Sequence, residues 1–332
     1  MKRHGTAPVS WRDGIHLTGT SIWCDAKRSR DICFVSAASA VPHAKHGQLI
    51  ASAETLSLLE RPGEEAASQL AVPYGQPFTL GTQRIELFAS GHAYGSASIL
   101  VHAGDTKIVY AGAIRPHEPI LGRALDYRSS DVLVVNAPYG QAHFAFEDAG
   151  AIAKKLVLRC NEICAEAGVA VLLVDGIGKA LDVAQLLGES ALPIFAHRRL
   201  QETTAALHKK SPELPAPKRW NAKGSGGRVL LWPLSLCSKL DASVLPASSR
   251  VLLVSGRAIE ADSVAAAGAD EGFAWSNQAD HEQLLDYIRG SGARQIFLTH
   301  SVDRGADLAA KLSGRSVEAI GPPQQLSLFQ TL

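Results

Sequence analysis

Ser90-Gly91-His92-Ala93-Tyr94-Gly95-Ser96-Ala97 lies between two runs, Arg84–Phe88 and Ser98–His102, that read as β-strands. A third run, Lys107–Tyr110, follows across Gly104-Asp105, a two-residue turn signal that predicts a hairpin. Further out, Asp131–Val135 is a continuous apolar run, the pattern of a strand buried on both faces. Upstream, Ile15–Trp23 and Ile32–Val35 read as short strands. Downstream, Gln295–Thr299 reads as a strand that ends at His300.

The texture changes near residue 147. Glu147–Glu166 carries apolar residues at helical spacing, and Val169–Val174 then reads as a strand. Gly178–Leu187 is predicted helical, Pro193–Ala196 a strand, Arg199–His208 a helix, and Val229–Trp232 and Arg250–Ser255 further strands. This alternation implies a parallel sheet. Ser211 to Gly227 is a loop rich in proline, glycine and lysine. Asp280–Arg289 reads as a helix with Leu284, Leu285 and Ile288 on one face and Asp280 as N-cap.

At 332 residues and 46% hydrophobic, the chain can bury one large core or two domains. A net charge of +1 excludes a strongly basic nucleic-acid coat protein. Met1-Lys2-Arg3-His4-Gly5-Thr6 leads into no apolar signal core, and no run of about eighteen apolar residues offers a membrane span. Five scattered cysteines suit reduced thiols, so a cytoplasmic location is expected. Cys160 and Cys164 share a helix face and are expected to pack rather than to bind metal.

Three patterns carry a resemblance. Ser90–Ala97 is similar to the GHxxGSA signature of the metallo-β-lactamase superfamily. Asp131-Val132-Leu133-Val134-Val135-Asn136-Ala137-Pro138-Tyr139-Gly140 resembles the strand that ends in E-S-T-Y-G in the β-CASP nucleases. Ile296-Phe297-Leu298-Thr299-His300 resembles that family's closing strand and last histidine. Their order and spacing resemble the bacterial branch that includes DNA-ligase-associated exonucleases and relatives of the messenger-RNA 3′-end processing nuclease. The resemblance runs from about Trp11 to Pro322. It implies an α/β fold, an αββα metallo-β-lactamase sandwich with an inserted β-CASP parallel α/β domain. The sandwich would comprise residues 1–140 and 274–320, the insert 141–273, and a C-terminal tail 321–332.

The family's chemistry uses two metal ions a few ångströms apart, held mostly by histidines and aspartates, to activate water against a phosphodiester. Most of those ligands are missing here. The H-x-H-x-D-H cluster falls on Ala37, Ser39, Val41 and Pro42. The bridging aspartate falls on Ala113, the acidic residue of E-S-T-Y-G on Asn136, and the histidine of the S-x-H-A-D motif on Gln278. Asp25, His92, His300 and the structural Asp280 remain at matching places. A catalytic zinc needs three protein ligands, so no metal or other cofactor is expected, and Asp25, His92 and His300 read as hydrogen-bonded framework groups. Zinc or manganese would enter only if a rearranged site recruited His43 or His46.

The last residues carry a separate signal. Gln325-Leu326-Ser327-Leu328-Phe329 resembles the peptide by which bacterial replication and repair proteins dock on the β sliding clamp. Pro322-Pro323 ends any preceding element. Burying Leu326, Leu328 and Phe329 in a partner's pocket yields roughly 1.5–3 kcal/mol each. Ordering the tail takes much of that back, which leaves a roughly micromolar site. The competing reading is a last β-strand with Leu326 and Leu328 facing the core.

Lys209, Lys210, Lys218, Arg219, Lys223 and Arg228 cluster in the 208–228 loop around Trp220, as a nucleic-acid contact with a base-stacking ring or as a plain solvated loop. Lys27, Arg28 and Arg30 add a smaller basic patch. Two functions are therefore expected to compete. One is a non-catalytic adaptor in bacterial DNA repair, tethered to the β clamp and bound to a ligase, helicase or active nuclease, or to DNA. The other is a divergent metal-dependent exonuclease with a rearranged site.

Overall fold

The structure, a computed structural model, describes residues 7–40, 44–59, 68–221 and 226–322. Its described strands form three sheets. The first runs in the order Val9–Trp11, Ile15–Leu17, Ile22–Cys24, Ile32–Phe34, Gln48–Ala51, Ser68–Ala71. The second runs Ser316–Ala319, Gln295–Thr299, Val132–Asn136, Thr106–Gly112, Ala97–Ala103, Gln83–Ala89, Phe78–Leu80. The predicted hairpin is present, with Ala103 paired to Thr106 across Gly104-Asp105 and Gly104 at φ 61°.

These two sheets face each other across one core. Ile22, Phe34 and Ile50 of the first pack with Ile85, Ile99, Val134 and Phe297 of the second. The outer face of the second sheet is covered by the helix His281–Ser291, through Leu284, Leu285 and Ile288. The outer face of the first is covered by the short helix Ala53–Leu59, through Leu56. The apolar run at 132–135 now has its explanation. Val132 and Val134 face the inter-sheet core, whereas Leu133 and Val135 face the helix. Asp280 caps that helix in a reciprocal box with Gln283, and Gly292 ends it at φ 71°.

The third sheet is all parallel, in the order Lys218–Arg219, Ile194–Ala196, Arg228–Pro233, Val169–Val174, Arg250–Val254, Glu271–Phe273. Val169–Val174 alternates in the same way. Ala170, Leu172 and Val174 pack under the helices Ala149–Ala165 and Ile177–Gly188, and Val169, Val171 and Leu173 pack on the other face. Cys160 belongs to the first of these cores. The molecule is therefore α/β.

Two expectations are refined. Ile15–Trp23 is two antiparallel strands, because Gly19 turns the chain at φ 83° and Thr20 closes the turn. Within the loop 211–227, Lys218–Arg219 adds a two-residue parallel edge strand beside Phe195 and Ala196.

The helix Ile177–Gly188 rests against the Ser90–Ala97 loop. A Cβ on Gly178 would stand 2.6 Å from that of Ala93, so only glycine allows this approach. Around the contact, Leu181, Leu207 and Leu214 close over Leu58. Among the described residues no helix is long and apolar enough to cross a membrane.

Candidate functional site

Several strands of the two facing sheets end at one edge of the sandwich. There they enclose a cavity of about 790 Å³. Asp25 follows the strand Ile22–Cys24, Ser36 and Ser39 follow Ile32–Phe34, and His92 follows Gln83–Ala89. Ala113 follows Thr106–Gly112, Asn136 ends Val132–Asn136, and His300 follows Gln295–Thr299. Gln278 enters from the turn before the capped helix. Every described position that the resemblance equates with a metal ligand thus lines one cavity. Val41 and Pro42 lie outside the described residues.

The surviving groups are engaged with the protein. Asp25 Oδ1 accepts from the Ser36 backbone N–H at 2.8 Å, and Oδ2 accepts from the Ser36 hydroxyl at 2.5 Å and the Tyr110 hydroxyl at 2.7 Å. Burial pushes the Asp25 carboxyl up, and these hydrogen bonds draw it part of the way back. Burial and the Asp25 charge together push the Tyr110 phenol well above its ordinary value, so it stays a donor. His92 is buried, and its Nδ1 lies 2.7 Å from the Asn277 carbonyl oxygen. Burial lowers its pKa to about 4, the Asn277 bond opposing and the Arg115 charge adding to the fall, so the ring is neutral at pH 7. At the mouth, partial burial of the His300 ring and the Lys27 ammonium hold the His300 imidazole below its ordinary value. The Thr299 hydroxyl donates to Asn136 Oδ1.

This set does not fit a dinuclear metal centre. Both Asp25 oxygens are committed, and of the other described positions only two are histidines, His92 and His300, with alanine, serine, asparagine and glutamine at the rest. Among the described residues no three of histidine, cysteine, aspartate and glutamate converge. His43 lies outside the described residues. His46 is buried, its Nδ1 accepting from the Arg30 backbone N–H at 3.2 Å, and it does not line the cavity.

The basic loop is placed away from the cavity. Lys209, Lys210, Lys218 and Arg219 are exposed, and none lines it. Arg228 and Trp220 pack together beside Phe195. Arg228 is 8% exposed because it opens a strand beside Phe195, and its guanidinium lies 5.2 Å from the Phe195 ring centroid and 5.4 Å from that of Trp220. Trp220 is half-buried, with its ring edge-on to Phe195 and beside Arg228. Lys223 lies outside the described residues, as does the whole of Gln325, Leu326, Ser327, Leu328 and Phe329. Of the smaller patch, Lys27 alone lines the cavity. Arg28 pairs with Asp13 at 2.9 Å, and Arg30 stacks 3.8 Å over Trp23.

Three further lining residues complete the site. Tyr110 fixes Asp25, Thr299 fixes Asn136, and Arg304 stands at the mouth. Behind the site, Arg115 donates through Nε to the Gly91 carbonyl and pairs with Asp182 at 3.0 Å, both side chains being almost fully buried.

Comparison with known proteins fits this picture only in outline. No protein-family model matches the chain. It is 23% identical over 324 residues to a probable DNA ligase of Opitutus terrae, covering 96% of this chain and 32% of the ligase. It is 29% identical over 129 residues to the probable RNase MJ4 of Methanocaldococcus jannaschii, covering 37% of this chain and 30% of that protein. The matches thus span about a third of the length of each relative. Among solved structures, a protein of unknown function from Enterococcus faecalis is similar at a TM-score of 0.56 and 14% identity, over 88% of this chain and 79% of that one. That likeness concerns the fold alone.

Proposed function

We propose that this chain is a metallo-β-lactamase/β-CASP protein that has lost its nuclease centre and serves as a non-catalytic adaptor in bacterial DNA repair. The sandwich is residues 1–140 and 274–320, the inserted β-CASP domain 141–273, and Gln325–Phe329 in the tail 321–332 recruits the protein to the β sliding clamp. One observation carries the reading. The described positions that the resemblance equates with metal ligands gather on one cavity, and alanine, serine, asparagine and glutamine stand at most of them beside Asp25, His92 and His300.

The helix–sheet–sheet–helix layering and the separate parallel sheet support the family reading. The names of the two relatives support a role in nucleic-acid processing. Nearly all of this chain aligns with a third of a protein named a probable DNA ligase, which favours a ligase as the partner presented at the clamp.

Protein purified without chelator is expected to carry no stoichiometric zinc or manganese by elemental analysis, and to leave DNA and RNA uncut. Stoichiometric metal, with nuclease activity lost in His92→Ala or His300→Ala, would instead establish the rearranged exonuclease. One feature favours that second reading. The Asn277 carbonyl fixes His92 through Nδ1 and leaves Nε2 for the cavity, as in metal-bound imidazoles. Deleting Gln325–Leu332 is expected to abolish co-elution with the β clamp, and undiminished binding by that truncation would exclude the tail.

A further inference from the structure

A second, smaller pocket of about 120 Å³ lies apart from the cavity. Arg115, His117 and Ile120 line it from the loop that follows the strand Thr106–Gly112. Ala149 and Ala153 line it from the first turns of the 17-residue helix Ala149–Ala165, and Trp275 from the connection before the capped helix.

Several of these residues are donors. Arg115 is 3% exposed, and its Nη2 is buried without a hydrogen-bond partner among the described residues. Nε and Nη1 of the same guanidinium are spent on the Gly91 carbonyl and on Asp182. Gln283 fixes the tautomer of His117. Its Oε1 accepts from the Asp280 backbone N–H, so its amide nitrogen donates to His117 Nε2 at 2.8 Å. The neutral ring then carries its proton on Nδ1. The helix start adds N–H groups and the positive end of a dipole, although the Asp148 carboxylate already takes the Ala151 N–H.

Charge points the same way. The buried charged groups around the pocket are two cations, Arg115 and Lys179, and one carboxylate, Asp182. The Lys179 ammonium donates to the Trp275 carbonyl at 2.6 Å and stands 4.8 Å from the Trp275 ring centroid. Asp175, which also acts on Lys179, is exposed. One buried positive charge is thus left without a buried counter-charge, a cost that an anion would offset. Glu118 also lines the pocket, but it is exposed.

The walls select among anions. Ile120, Ala149, Ala153 and Trp275 offer apolar surface, which suits a hydrocarbon stem and disfavours a strongly hydrated phosphate. A carboxylate is planar and matches the fork of a guanidinium. We propose that this pocket binds a carboxylate on a short aliphatic stem, held by Arg115, His117 and the helix start, with the stem against Ile120 and Trp275. Such a group belongs to a small free acid or to a glutamate side chain of a partner protein. The site does not depend on whether the larger cavity holds metal. Its ligand touches a loop of the second sheet and a helix of the third at once, so binding is expected to stabilise the fold.

The test is calorimetric titration and thermal melting of the full chain at pH 7 and fixed ionic strength, with acetate, butyrate, butyramide and N-acetylglutamate α-amide. Butyrate is expected to raise the melting temperature. It is expected to bind at least tenfold more tightly than the uncharged butyramide, and about tenfold more tightly than acetate, whose stem is shorter. Tighter binding of N-acetylglutamate α-amide than of butyrate identifies a partner's side chain, and the reverse order identifies a free acid. Ala149→Leu fills the pocket without touching a charge. Ala149 is half-buried and leucine is a strong helix former, so this variant is expected to fold and to bind at least tenfold more weakly. Glu118→Gln removes a like charge and is expected to tighten binding about threefold. The proposal is overturned if no carboxylate binds, if butyramide binds as well as butyrate, if Ala149→Leu leaves binding unchanged, or if Glu118→Gln weakens it.

Discussion

His92 is a framework group with a measurable signature. Its ring is buried against the Asn277 carbonyl with a pKa lowered to about 4, against 6.5 for an ordinary imidazole. The folded state therefore resists protonation that the unfolded chain accepts. Between those two values the unfolded state binds more protons, and stability rises with pH. The contribution of the neutral ring is complete above pH 6.5 and lost as pH falls toward 4, amounting to about 3 kcal/mol by area of the shift. Urea denaturation across this window is expected to show that loss in the native protein and a flatter pH dependence in His92→Gln. Parallel profiles for the two proteins would mean that His92 is not buried neutral. Asp25 and His300 were legible beside His92 because they sit at motif positions. Arg304 was not, because its place at the mouth depends on the left-handed turns at His300 and at Arg304 itself.

At the scale of elements, the contact of the helix Ile177–Gly188 with the loop after Gln83–Ala89 rests on a buried charge pair. The Arg115 and Asp182 side chains are 4% and 1% exposed, joined through Arg115 Nη1 and Asp182 Oδ2, and the buried Lys179 ammonium also bears on Asp182. Removing one member strands the other in a low-dielectric interior at about 3–5 kcal/mol, whereas replacing both by apolar groups of similar volume is close to neutral. Arg115→Met and Asp182→Leu are each expected to destabilise by that amount in urea melts, and the double variant to recover only part of it, because the buried Lys179 ammonium then lacks the Asp182 charge. Additive losses would show that the pair acts independently. No local pattern reveals such a pair, whose members are 67 residues apart. Strands buried on both faces, such as Val132–Asn136 and Val169–Val174, were legible because apolar runs have no other use in so short a length. Ser68–Ala71 was not, because at a sheet edge it buries none of its four residues fully and carries no alternation.

At the scale of the whole molecule, the cavity and the chain's exit are neighbours. Ala319, Ile320, Gly321 and Pro322 form part of the cavity wall. Gln325 lies three residues beyond Pro322, within about 10 Å of extended chain. A clamp that grips Gln325–Phe329 would therefore sit beside the mouth, where Lys27, His300 and Arg304 are placed. On that proposal, recruitment and access to the cavity would be one geometric problem, since a ring holding the tail would also roof the pocket. Hydrogen exchange of the backbone at 299–305 and 318–322 is expected to slow at least threefold when the β clamp is added to the full chain, and to stay unchanged in a protein lacking Gln325–Leu332. Clamp binding through the tail with no protection of those segments would show instead that the folded body hangs away from the ring, with its cavity open to solvent throughout.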